Sequence, residues 1–170
     1  MINKNISMKN YKLIILGPQC SGKTTLTRFL RKNYPDLPIL EEDELFTELN
    51  GGEYPQDVEY KEKSIRPKLE EKIKQSDNII FLTSYCNPVL LKELKAKGFK
   101  VVQLVLSQEE FQKRNEKRMR EDGYADANVW AKEVFGFHDE VKNEGWAHKS
   151  IDASQSIEMV AKEIIDLLEY

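Results

Sequence analysis

The chain has 170 residues, 40% apolar and 32% charged, with a formal net charge of −3 from 26 basic and 29 acidic residues. That length suits one compact domain with a single sizeable core. The slight acidic excess argues against non-specific nucleic-acid binding, and no apolar run approaches the roughly 18 residues of a membrane span.

Residues 1–10 are polar, lack the apolar centre of a signal peptide and read as a flexible N-terminal arm, with Met8 a second candidate start. Residues 11–170 read as one domain. Residues 11–16 form an apolar run suited to a strand buried on both faces. Residues 21–33 follow as a helix, with Leu26, Phe29 and Leu30 as its inward stripe. Pro35 and Pro38 end that helix, and 37–40 is a short second strand. Residues 43–49 make one or two helical turns stopped by Gly51 and Gly52. The stretch 56–75 is helical in pattern, with Val58, Ile65, Leu69 and Ile73 at helical spacing and a kink or split expected at Pro67.

Strands are expected at 78–83 and 100–106, with a helix at 88–97 between them and Gly98 as its C-cap. Ser107 caps the next helix, which runs to Glu121, and Glu110 stands three residues on, as in a capping box. Gly123 ends it. Residues 128–147 form another helix despite Gly136, 150–152 is the last strand, and 156–168 is the closing helix. Trp130, Phe135, Phe137 and Trp146 fit helical core packing, and His138 and His148 lack metal-like spacing and face solvent or pack locally. Strands alternating with helices predict an α/β fold of three layers, a five-stranded parallel sheet with helices on both faces.

The chemistry is concentrated in Gly17-Pro18-Gln19-Cys20-Ser21-Gly22-Lys23-Thr24, which fits G-x-x-x-x-G-K-[ST] without mismatch. A strand ends just before it and a helix begins inside it, the context the mechanism needs. The glycines let the backbone wrap tightly and aim its N–H groups at phosphate oxygens, and the helix N-terminus adds a positive dipole end. Lys23 reaches the terminal phosphates, and the Thr24 hydroxyl is the candidate Mg²⁺ ligand. Gly17, Gln19, Cys20, Ser21, Gly22, Lys23, Thr24 and Thr25 are therefore the candidate nucleotide-binding residues, with Cys20 a small spacer. ATP and Mg²⁺ are the cofactors this predicts. Two cysteines in no metal or disulfide pattern point to the reducing cytoplasm.

With Gly17–Thr25 reading G-P-x-x-S-G-K-T-T, the chain resembles the small kinases of the adenylate kinase-like branch of P-loop proteins, which also holds shikimate and gluconate kinases. Three further features carry the resemblance over most of the chain. They are Asp43 soon after the second strand, Arg114, Arg118 and Arg120 on the helix after the fourth, and Ile151–Ser156 in the place of the last strand and adenine-side loop. The resemblance implies phosphoryl transfer to a small-molecule acceptor. It also implies that Arg114 and Arg118, which share a helix face at i, i+4 spacing, reach the nucleotide phosphates from the base of a short lid at 121–128. Asp43 is the candidate to orient an acceptor hydroxyl, with Glu41 and Glu42 as rivals and an N-cap role as the alternative. Arg66 and Lys68, beside the kink, are candidate acceptor-binding residues.

The departures matter as much. Adenylate kinases have an Arg where this chain has Phe46, and an Asp-Gly with a later Arg where it has Thr83-Ser84-Tyr85-Cys86-Asn87. The forks that grip a nucleoside monophosphate are thus missing, and so is a Walker-B Asp ending the third strand. That leaves Mg²⁺ to Thr24, phosphates and water, with Thr83 or Ser84 supporting the water. An ATPase of the same fold and a nucleotide-binding regulatory module are the rival readings. As to assembly, a monomer or homodimer is expected.

Overall fold

The computed structural model describes residues 10–169. The arm expected over 1–10, Met8 included, lies outside them except for Asn10. The chain runs β1 (Lys12–Leu16), α1 (Lys23–Asn33), β2 (Ile39–Glu41), α2 (Glu42–Leu49), α3 (Val58–Tyr60), a π-helical stretch (Lys61–Ile65) and α4 (Arg66–Gln75). It continues with β3 (Ile79–Thr83), α5 (Pro88–Ala96), β4 (Lys100–Val105), α6 (Gln108–Asp122), α7 (Asn128–Asn143), β5 (Lys149–Asp152) and α8 (Ile157–Glu169).

The sheet order is β2-β3-β1-β4-β5 and every neighbouring pair is parallel. This is the expected three-layer α/β fold. Side chains along a strand alternate between faces, so β1 feeds two cores. Leu13 and Ile15 pack with Leu26 and Leu30 of α1 and with Val160 and Ile164 of α8. Ile14 and Leu16 pack on the other face with Leu69 and Ile73 of α4, Leu91 and Leu94 of α5, and Phe137 and Val141 of α7. Strand β1 is thereby held rigidly at the centre, with its C-terminal Leu16 level with Thr83 of β3 and Gln103 of β4. No described helix is long and apolar enough to cross a membrane.

Several elements differ from expectation for identifiable reasons. The predicted break at Pro67 takes the form of the π-helical stretch, in which the Arg66 N–H bonds the Lys61 carbonyl. Pro67 has no N–H for the residue 63 carbonyl and its ring crowds that group, so the turn before it widens. The helix expected over 128–147 stops at Asn143 because Gly145 takes a left-handed φ of 62°, which returns the Trp146 N–H to the Val141 carbonyl. Asp43 is not an N-cap. Glu41 holds that position and forms a reciprocal capping box with Glu44. Ser107 does cap α6 through the Glu110 N–H, but the Glu110 carboxylate turns to Arg114 at 2.7 Å rather than closing a box. Phe137 and Trp146 are core, as expected, and Phe135 packs partly against it, whereas Trp130 is half exposed at the start of α7.

Candidate nucleotide and acceptor site

The site grows from the carboxyl edge of the sheet, where ligands of open parallel sheets collect. The Gly17 N–H bonds the Thr83 carbonyl at 3.1 Å, carrying the β1–β3 ladder one residue beyond the strand. A Cβ at Gly17 would lie 2.5 Å from Ser21 Oγ and 3.1 Å from Leu104 Cβ, so only glycine fits the start of the turn. Gly22, with φ 88°, turns the chain into α1. Cys20 takes a φ of 63° although it carries a side chain, a strained choice that the reading of it as a plain spacer misses.

Lys23 opens α1, and its ammonium donates to the Gly17 carbonyl at 2.6 Å and the Pro18 carbonyl at 3.0 Å. Burial pulls its pKa down to about 8, against the opposing pull of Glu42, Glu41 and Asp43. Thr24 and Thr25 follow, exposed, in the first turn. The Thr24 hydroxyl donates to Glu41 Oε2 at 3.3 Å. Gln19, Cys20, Gly22, Lys23, Thr24 and Thr25 all line one open cleft of about 620 Å³. Ser21 does not. Its buried hydroxyl has no hydrogen-bond partner, and it borders a second hollow of about 180 Å³ with Thr25, Arg114, Ala153 and Gln155. That hollow lies against the β5–α8 turn, where the resemblance implies the adenine side.

The far wall of the cleft is supplied by α6. Arg114 and Arg118 both face the phosphate loop, as their spacing implies, but their bonding differs. Arg114 donates to Glu110 at 2.7 Å, to the Cys20 carbonyl at 3.2 Å and to the Ala153 carbonyl at 2.9 Å. It staples α6 to the phosphate loop and to the β5–α8 turn. Arg118 stacks on Tyr124, 4.6 Å from the ring centroid, and makes a long contact of 3.7 Å to Cys20 Sγ. Its Nε is buried with no hydrogen-bond partner. Arg120 turns away and pairs with Glu121. Asp122 at the end of α6 and Tyr124 of the segment after it reach the cleft, and the far end of that segment is pinned where Asn115 bonds Asp126 at 2.6 Å and the Ala127 N–H at 3.0 Å.

The opposite wall is the junction of β2 with α2, which turns Glu41, Glu42 and Asp43 into the cleft. Asp43 is exposed, and only its backbone carbonyl is engaged, by the Thr47 hydroxyl. Glu42 is more enclosed. It pairs with Arg66 at 2.9 Å, and burial pushes its carboxyl up against the pull of Arg66. Arg66 also pairs with Glu62 and lies 5.0 Å from the centroid of the Phe46 ring, and Lys68 is exposed away from the cleft. Phe46 is core, so the position held by an Arg in adenylate kinases is lost to packing. Thr83 accepts the Tyr85 N–H and donates to the Tyr85 carbonyl, tightening the turn after β3. His138 is buried beneath that turn, its Nε2 3.1 Å from the Ser84 carbonyl, and burial pulls its pKa down to about 4. Arg28, which no motif marks, also lines the cleft. Its spacing of four from Thr24 was the available signal.

A glycine-lined loop joining the central strand of a parallel sheet to a buried-face helix, with its lysine at the helix start, defines a P-loop nucleotide-binding fold. The chain belongs to the AAA domain family, whose sequence model matches residues 13–138. No curated protein sequence matches it. Among solved structures it is similar to shikimate kinase from Aquifex aeolicus, with a TM-score of 0.64 and 20% identity over 92% of this chain and 95% of that one. It is also similar to shikimate kinase from Acinetobacter baumannii in complex with shikimate, with a TM-score of 0.66 and 18% identity over 94% and 93%. A gluconokinase from Sinorhizobium meliloti gives 0.57 and 14% over 91% and 90%. At these identities the likeness is one of fold, and the fold is that of the small P-loop kinases.

Proposed function

We propose that the protein transfers the γ-phosphoryl group of ATP to a hydroxyl of a small-molecule acceptor. The observation that carries this reading is the meeting, in one cleft, of the phosphate loop, two α6 arginines and the acidic wall of α2. Backbone N–H groups of Gln19, Cys20 and Gly22 to Thr25 hold the phosphates, and Lys23 bridges the terminal two. Arg118 meets the charge that spreads over the moving phosphoryl group, while Arg114 keeps α6 in register with the loop. The 121–128 segment acts as a short lid, closing Tyr124 over the nucleotide beside Arg118.

The residues present suit Mg²⁺ held largely by the nucleotide. Thr24 would hold it directly, with Glu41 behind. The Thr24 hydroxyl already points its hydrogen at Glu41, whose other oxygen is buried without a partner. Among the described residues no cluster of three His, Cys, Asp or Glu side chains forms a cation cage. When bound, the ion neutralises phosphate charge.

Asp43 accepts the acceptor hydroxyl's hydrogen bond and takes its proton as the bond to phosphorus forms. Asp43→Asn is expected to lower kcat by about 10²-fold with ATP affinity within twofold. Steady-state kinetics with calorimetric ATP titration would check this. Loss of ATP affinity with unchanged acceptor kinetics would make Asp43 a metal-side residue instead.

Because the free protein holds Lys23 at a pKa of about 8, its ammonium is lost as pH rises above that value. Phosphates bind the protonated form, so ATP affinity is expected to fall above pH 8, by up to about tenfold per pH unit. Titrations between pH 7 and pH 10 would show the slope, and Lys23→Ala should abolish it.

Measuring ATP turnover with and without a panel of hydroxyl acceptors tests the function as a whole. Stimulation by one acceptor, with a phosphorylated product, is the expected result. Steady acceptor-free hydrolysis would favour an ATPase, and binding without turnover a regulatory module.

A further inference from the structure

The acceptor wall carries a charge pattern that selects substrate chemistry. Glu42 borders two spaces, the main cleft and a small hollow among α4, α5 and the turn after β3. Arg66 borders only the second, so Glu42 stands between it and the cleft. Three of the five guanidinium N–H donors are taken. Arg66 gives NH1 to Glu42 at 2.9 Å, turns its Nε and NH2 to Glu62, and stacks on Phe46. Two carboxylates on one guanidinium leave a net negative charge, so Arg66 has none to spare for a ligand. Lys61, the next cation on that side, lies over Tyr54 and Phe46 and beside Glu62.

What the cleft meets on this side is therefore Glu41, Glu42 and Asp43. Its cations stand elsewhere. Lys23, Arg114 and Arg118 surround the phosphate loop, and Arg28 lies one turn beyond Thr24 on α1. An acceptor bearing a carboxylate or phosphate would be repelled at α2, where three carboxylates outweigh Arg28, the cleft's guanidinium outside the phosphate-loop set. A protonated amine would be attracted by the same wall.

We propose, building on the phosphotransfer reading, that the acceptor is a hydroxylated compound without an acidic group, favoured when it carries an amine, and that Glu42 sets this specificity by shielding Arg66. Removing the Glu42 carboxylate takes one negative charge from the wall and uncovers the Arg66 NH1 group, while Glu62 still holds the Nε and NH2 side. Glu62 lies on the far side of Arg66, and its removal leaves the shield in place.

Three hexose-scale probes separate the cases: glucosamine, glucose and gluconate. Each is assayed for phosphate transfer from ATP and for equilibrium binding to the ADP complex. The wild type is expected to prefer glucosamine to glucose, and both to gluconate by about tenfold or more. Glu42→Ala is expected to shrink the gluconate handicap severalfold, and Glu62→Gln to leave it at its wild-type size, with circular dichroism confirming that both variants fold. Equal treatment of the three probes by the wild type, in binding and in transfer, would overturn the proposal. So would a Glu42→Ala ratio within twofold of wild type. The predicted order in binding without any transfer would sink the phosphotransfer reading alone and leave the charge selection standing.

Discussion

Lys23→Ala is expected to abolish phosphoryl transfer, by 10³-fold or more, while the fold survives. The lysine is placed for charge rather than for stability. Its ammonium is tucked under the loop carbonyls of Gly17 and Pro18, and burial holds its pKa near 8 instead of the usual 10.5. At pH 7 it is still charged, so the folded protein carries a desolvated cation, a cost of up to about 3 kcal/mol. The sign of the linkage follows. Between pH 8 and 10.5 the unfolded chain binds more protons than the folded one, so this residue's contribution makes stability rise with pH over that window. Alanine removes the cost along with the charge. Thermal unfolding at pH 7 should therefore give the variant a Tm no lower than the wild type's, and its stability should lack the rise between pH 8 and 10.5. Wild-type turnover in the variant would sink the phosphate-loop assignment. A collapse in Tm would make Lys23 a structural residue.

The sheet was legible because its signals are local. Buried strands announce themselves as short apolar runs, and Gly123 stops its helix by a conformation that other residues take at a cost, whereas the same stop at Gly145 was not read. The phosphate loop was legible because backbone geometry demands its glycines. What could not be read depends on partners distant in sequence. Thr24 meets Glu41 across 17 positions, and Arg114 meets Ala153 across 39. Arg114 and Arg118 look alike by spacing, yet one is consumed by carbonyls that only the fold brings near. Trp130 was expected inside because aromatic residues bury well, but its place in the first turn of α7 leaves it half exposed. The shield over Arg66 belongs to the same class. Glu42 was a rival carboxylate in sequence, and only the packing of α2 against α4 reveals which cation it covers.

Arg118→Ala is expected to slow phosphoryl transfer by about 10²- to 10³-fold at saturating ATP, with little change in stability. Neighbouring Arg114 has a carboxylate and two carbonyls for its donors, so its charge is balanced within the protein. Arg118 has a thiol at 3.7 Å, a tyrosine face and a buried Nε with no acceptor. An unsatisfied buried donor costs about 1–3 kcal/mol, so little folding energy is at stake in removing it. A guanidinium in that condition is poised for an anion that arrives with the nucleotide, and its planar fork matches two phosphate oxygens at once. Arg118→Lys should recover only part of the rate, because an ammonium restores charge without the fork. Single-turnover measurements of both variants would separate the chemical step from nucleotide binding. A change below twofold in Arg118→Ala would remove the residue from the phosphate-binding set. An equal loss in Arg114→Ala with intact Tm would show that the two arginines share the phosphate, rather than one holding the loop for the other.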